Sequence, residues 1–243
     1  MEWSVISGTG RGGRIREADV RKAAATPSTR PPASVPTMVA VTLHTTADAT
    51  ALVRLHDDCQ KAAAASGAIV PTCNDMLVKL TAAALRKHPV LNSVWNGDTL
   101  QTSPGIHIGI AVDTETGLRI PVVRDVGSLP LRDIARRSSD LAERAHSRQL
   151  TADEMCGGTF TIVNLGAFGI DAFTPTITAP ECAALGFGRI LRQPVASGES
   201  VAFCEIITLS LTFDRRRCGD APAARFLQTL ADLIQSPVGA LFF

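Results

Sequence analysis

What this chain lacks narrows its function before any motif is read. Its formal net charge is only +1, which gives no electrostatic case for nucleic acid or a membrane surface as partner. No apolar run approaches the roughly 18 residues that a membrane span needs, and Met1-Glu2-Trp3 opens no secretory signal. The cytoplasm is the expected compartment. The six cysteines, at 59, 73, 156, 182, 204 and 218, contain no CxxC pair. That spacing argues for reduced thiols within helices and strands, and against a metal knuckle or a disulfide framework. No metal and no permanently bound cofactor is expected.

What is present divides in three. At 45% hydrophobic content, the 243 residues can bury a substantial core. Residues 24–36, rich in Pro, Ala and Ser, read as an extended linker. The expected organisation is a short segment over 1–25, a linker over 26–36 and one catalytic-size domain over 37–243. The first segment formally contains GxGxxG at Gly8, Gly10 and Gly13. It follows no buried strand and opens no long helix, as a dinucleotide site requires, so that reading is set aside.

Past the linker, period-2 and period-3.6 patterns alternate, which predicts an α/β sandwich. Strands are expected over 38–46, 106–112 and 118–123, with a turn near Thr116-Gly117. Helices are expected over 48–66, 73–88 and 130–149, the second stopped by Pro89. Asn96-Gly97 between Val94 and Leu100 signals a hairpin.

Four segments carry a resemblance. Gly158-Thr-Phe-Thr-Ile-Val-Asn-Leu-Gly-Ala-Phe-Gly169, Ala183-Ala-Leu-Gly-Phe-Gly-Arg-Ile190, Gly109-Ile-Ala-Val-Asp-Thr-Glu-Thr-Gly-Leu-Arg-Ile-Pro-Val122 and Leu211-Thr-Phe-Asp-Arg-Arg-Arg-Cys-Gly-Asp-Ala221 occur in order. They resemble the catalytic domain of the dihydrolipoyl acyltransferases of 2-oxoacid dehydrogenase complexes. Ser7 to Lys22 is similar to the second half of that family's peripheral subunit-binding domain. The resemblance implies the chloramphenicol acetyltransferase-like fold, a mixed sheet flanked by helices. It also implies a homotrimer with active sites between subunits, and coenzyme A as co-substrate.

The departures from the family pattern direct the functional reading. Arg215 stands where the resemblance places a histidine general base, and Val163 where it places an oxyanion-binding serine. The family's Asp-Gly pair is inverted to Gly219-Asp220, and neither its opening basic helix nor a lipoyl domain is expected from these residues. Guanidinium stays protonated and cannot serve as a base. It binds carboxylates and enolates well, so Arg215 and Arg216 suit an acidic acceptor, although solvated or interface charges would read the same. Asp220 is expected to pair with the arginines. His44 and His107, read as sharing a sheet face, are the candidate bases. Cys218 reads either as a buried small residue or as a thiol activated by its neighbours. Catalytic candidates are thus Arg215, Asp220, His44 and His107, and binding candidates are Val163, Asn164, Gly166 and Arg216. Stand-alone relatives resemble acyltransferases of polyketide biosynthesis that acylate an acidic tetronate. Two functions follow from this pattern, transfer of an acetyl group to a small-molecule hydroxyl and a non-catalytic structural or interaction subunit.

Overall fold

The structure, a computed structural model, describes residues 38–242 apart from 67–68, 97–98 and 199, together with residues 10 and 12. The chain divides into two units, Met1–Thr37 and Met38–Phe243. The readings of a subunit-binding segment, a linker and a dinucleotide loop fall on the first unit and lie outside the described residues but for those two.

In the second unit, six strands form one sheet in the order β1-β10-β9-β8-β4-β7. Their bounds are β1 Ala40–Asp48, β4 Ile108–Ile110, β7 Val122–Val123, β8 Phe160–Asn164, β9 Ala183–Ser197 and β10 Ser200–Asp214. β8 runs parallel to both β4 and β9, and the other pairings are antiparallel. A mixed sheet flanked by helices is thus observed as expected, and Thr161 to Asn164 and Ile206 to Asp214 lie in that same sheet.

Alternation explains which face is covered. Leu209, Leu211 and Phe213 of β10, Leu185 and Phe187 of β9, and Phe160 and Ile162 of β8 are buried in one continuous core. Helices α1 (Thr50–Ser66), α2 (Cys73–Lys87), α3 (Leu131–His146) and α4 (Asp220–Gln235) supply Leu52, Met76, Leu80, Ile134, Phe226 and Leu230 to it. The opposite face is polar or small, since Thr42 bonds Thr212 at 2.8 Å and Gly186 and Val163 follow in register. α2 starts at a capping box in which the Thr72 hydroxyl accepts from Asp75 N at 3.1 Å and Asp75 accepts from Thr72 N at 2.8 Å.

The expected strands over 106–112 and 118–123 are broken. Their outer parts become a separate hairpin, β5 (Val112–Thr114) with β6 (Gly117–Arg119), turning at Gly117, whose φ is 104°. The Pro121 carbonyl still accepts from Ile110 N at 2.9 Å, but proline has no N–H with which to continue the ladder. The Asn-Gly signal is realised as β2 (Ser93–Asn96) paired with β3 (Thr99–Thr102). α5 (Val238–Phe242) closes the chain.

Beyond Ile206 β1 no longer pairs with β10, and beyond Phe187 β8 no longer pairs with β9. The far halves of β9 and β10 continue as a two-stranded ribbon, paired from Leu191–Ile206 to Ser197–Ser200. It exposes Val195, Val201 and Phe203, with Arg192 stacked 5.4 Å from the Phe203 ring.

Candidate functional site

At the C-terminal end of β10 the three arginines take three different partners. Asp214 is fully buried and accepts from Val39 N at 3.3 Å, from Arg216 N at 3.1 Å and from the Arg216 guanidinium at 3.0 and 2.6 Å. Burial alone would raise its pKa, but these hydrogen bonds and the adjacent guanidinium hold it below the usual carboxylate range. Arg215 hydrogen-bonds Val39 O through its backbone N–H, and its Nη2 donates to Asp220 Oδ2 at 3.1 Å. The side chains of that pair are 60% and 51% exposed, so Arg215 presents its guanidinium to solvent within one chain. Asp220 lies in the first turn of α4, where the helix dipole favours a carboxylate. Arg217 stacks on Trp95, 3.2 Å from the ring centroid, and Arg216 lies at 5.3 Å from the same ring. Cys218 is buried and burial pushes its thiol pKa up, so the activated-thiol alternative fails.

The second group of candidates lies toward the opposite end of the sheet, at the C-terminus of β8. Asn164 Oδ1 accepts from Gly166 N at 2.9 Å, and Asn164 Nδ2 donates to Asn74 Oδ1 of α2 at 3.3 Å. A Cβ on Gly166 would meet Gly188 O at 2.9 Å, which accounts for glycine there. Val163 points to the other face, in a cross-strand row His44–Ser210–Gly186–Val163. It offers no side-chain donor.

The histidines do not join either group. His44 is exposed on β1, its Nδ1 bonded to Ser210 Oγ at 2.8 Å, and three strand spacings, about 14 Å, separate it from Val163. His107 is not on a strand, in contrast to the sequence reading. It precedes β4, its Nδ1 accepts from Asp125 N at 3.0 Å and the Asp125 carboxylate lies 3.6 Å away. The turn at Asp125, whose φ is 55°, holds the imidazole at the edge of β4, and β10, β9 and β8 lie between β4 and the β1 strand that carries His44. From strand rise and spacing, Arg215 and Val163 are more than about 15 Å apart within one chain. The fold therefore brings Arg215 to Asp220 and Arg216 to Asp214, and separates them from His44, His107, Val163, Asn164 and Gly166.

Two features escaped the sequence reading. Glu181, 3% exposed, lies against Gly158, where an added Cβ would stand 2.6 Å from its Oε1. Its Oε2 has no well-formed hydrogen bond among the described residues, and burial, opposed weakly by the neighbouring Thr161 hydroxyl, raises its pKa to about 7. The only signal was a charge inside the otherwise apolar Ala179-Pro-Glu-Cys-Ala-Ala184. The other is a cavity of about 320 Å³ bounded by Asn74, Ile110, Ala111 and α3. Among the described residues, no group of His, Cys, Asp and Glu is placed to hold a metal, and no helix is long and apolar enough to cross a membrane.

Comparison with known proteins agrees with this architecture. The dihydrolipoyllysine-residue acetyltransferase component of the acetoin cleaving system of Bacillus subtilis is 33% identical over 99% of this chain and 67% of its own length. The corresponding pyruvate dehydrogenase component of Pseudomonas aeruginosa is 40% identical over 72% of this chain, but only 32% of its own length is spanned. The Azotobacter vinelandii dihydrolipoamide acetyltransferase, studied for the catalytic roles of a serine, a histidine and an asparagine, superposes with a TM-score of 0.80 at 38% identity, covering 85% of both chains. The cubic core of the pyruvate dehydrogenase multienzyme complex gives the same TM-score, identity and coverage. Residues 14–242 match the family described as 2-oxoacid dehydrogenases acyltransferase (catalytic domain), and it is to this family that the chain belongs.

Proposed function

We propose that this family member transfers an acetyl group from coenzyme A or a carrier thioester to the hydroxyl of a small acidic molecule, a polyketide of tetronate type in secondary metabolism. In the reaction the acceptor oxygen forms a C–O bond to the acyl carbon, the C–S bond breaks, and the hydroxyl proton ends on the released thiol. The observation that carries this reading is Arg215. Its exposed guanidinium is steered by Asp220 at the end of β10, where the resemblance puts a base. A permanent cation there cannot take a proton from lipoamide, but it holds an anionic acceptor by paired hydrogen bonds. With Val163 in place of a hydroxyl donor, orientation must supply most of the acceleration, and effective molarity is worth roughly 7–11 kcal/mol.

His44 or His107 removes the acceptor proton in this scheme. Neither reaches Arg215 within one chain, so the site is completed between copies in a homotrimer, consistent with the cubic core among the similar structures. The separation of imidazole from arginine equally favours a second reading, a non-catalytic structural or interaction subunit. Release of free thiol from acetyl-CoA tests the choice, with dihydrolipoamide and an acidic polyketide alcohol as alternative acceptors. Turnover of the acidic alcohol is expected. Turnover of dihydrolipoamide at the family's usual level would refute the reading of Arg215 and Val163. Silence with both acceptors, and no thermal shift with coenzyme A, would leave the subunit reading.

A further inference from the structure

The cavity of about 320 Å³ lies on the helical side of β4, where α2 begins and α3 passes. Val70, Ile110, Val112, Pro121 and Leu141 give it an apolar wall. Among the described residues, the only charged one in the lining is Asp75, and both of its oxygens are hydrogen-bonded. Oδ1 accepts from the Ser138 hydroxyl, and Oδ2 accepts from Thr72 N at 2.8 Å and Thr72 Oγ1 at 2.7 Å. With that carboxylate satisfied and Thr72, Asn74, Ser138 and Ser139 the polar part of the lining, the cavity suits an uncharged group that is mainly apolar. The volume reaches the lower end of the roughly 300–1,000 Å³ of small-molecule sites. It would hold about ten waters at roughly 30 Å³ each, far more than an acetyl methyl needs.

The cavity adjoins the candidate site through two contacts. Asn74 in its wall receives the hydrogen bond from Asn164, and Ala111 donates its N–H to Ile162 O at 2.9 Å, one residue from Val163. Arg215 stands at the other end of the same sheet.

We propose that this cavity binds the apolar tail of the hydroxyl acceptor, making the acceptor an amphiphile with an acidic head and an alkyl or acyl tail of up to about ten non-hydrogen atoms. This rests on the acyl-transfer reading above and extends it to the substrate class. Because Arg215 and the cavity are far apart in one chain, the head meets the Arg215 of a neighbouring copy while the tail enters this one. The tail takes no part in bond making. It raises the local concentration of the hydroxyl, each buried methylene tightening binding about fourfold.

The test uses two synthetic acceptors, hydroxymethyl tetronic acids bearing a two-carbon or an eight-carbon acyl chain. Calorimetric titration with the full-length protein reads the cavity independently of turnover. The longer acceptor is expected to bind at least tenfold more tightly, and Ala142→Phe, which projects a ring from α3 into the space, should reduce that ratio at least tenfold. Ser139→Trp at the exposed rim should do the same without adding bulk to the core. Equal affinities for the two acceptors, or a ratio unchanged in both folded variants, would overturn the proposal. Thiol release from acetyl-CoA in the same series reads the other claim. A tail-dependent affinity with no thiol released by either acceptor would sink acyl transfer and leave the cavity's ligand class standing.

Discussion

Phe173 lays its ring on the bare backbone of Gly186, where an added Cβ would stand 2.7 Å from the ring's Cζ. Gly186 sits between Ser210 and Val163 in the cross-strand row, so this contact seals the middle of the polar face. Gly186→Ala should lower stability by about 1–3 kcal/mol through overpacking. Phe173→Ala in the same chain should recover part of that loss. Urea denaturation of the two single variants and the double variant checks this, and strictly additive losses would show that the ring is not the obstacle.

Glu181 ties stability to pH. Its ordinary pKa is 4.5 and burial raises it to about 7 in the fold, so the folded state holds a proton that the unfolded chain releases. The contribution is fully present below pH 4.5 and is lost as the pH rises from there through about 7, a change on the order of 3 kcal/mol. Glu181→Gln keeps the shape but does not titrate, and it should flatten the stability profile in that window. An unchanged slope between wild type and variant would show that the carboxyl is already ionised in the fold.

The two ion pairs at the end of β10 should respond differently to mutation. Arg215→Ala breaks an exposed pair and should cost less than about 1 kcal/mol of stability, while the KM for an anionic acceptor rises at least tenfold. Asp214→Ala empties a buried carboxylate position that also receives two backbone N–H groups, and should cost about 2–4 kcal/mol. Thermal unfolding alongside steady-state kinetics separates the two. A large stability loss from Arg215→Ala with no change in KM would make Arg215 a structural residue.

Restoring the family's residues gives a gain-of-function test. Arg215→His with Val163→Ser should bring acetylation of dihydrolipoamide above the parent chain. One oxyanion donor is worth about 2.7–4 kcal/mol, and a positioned base on the order of 10² to 10⁴ in rate. Asp220 must then orient the new imidazole, as it now orients Arg215. Thiol acetylation no better in the double variant than in the parent would show that Asp220 fails in that role.

Element type was legible wherever the periodicity was long. The alternation expected over 38–46 became β1 (Ala40–Asp48), and the apolar spacing over 73–88 became α2 (Cys73–Lys87). The pairing of Arg215 with Asp220 was also legible, because five residues across a strand-to-helix turn leave the two side chains adjacent. What was not legible depended on distant partners. His107 sits in an alternating run, but its imidazole is claimed by the Asp125 N–H, eighteen residues on. Residues 106–123 break because Pro121 and Gly117 interrupt a ladder whose partners are β4 and β8. The burial of Glu181 depends on Gly158 and Thr161, and the cavity on helices that meet only after folding. No local pattern records either.

The ribbon formed by the outer halves of β9 and β10 has a consequence in time. A two-stranded hairpin without a helix behind it is marginal in water, whereas Leu209, Leu211 and Phe213 on the same strand are fully buried in the core. One covalent strand therefore spans two exchange regimes. Amide protons near Ala202 and Cys204 should be lost to solvent by local opening, while those of Leu209 to Phe213 wait for global unfolding. Deuterium uptake along β10 would then rise steeply from its core end to its tip. The steepest change should fall near Ile206, where β1 stops pairing.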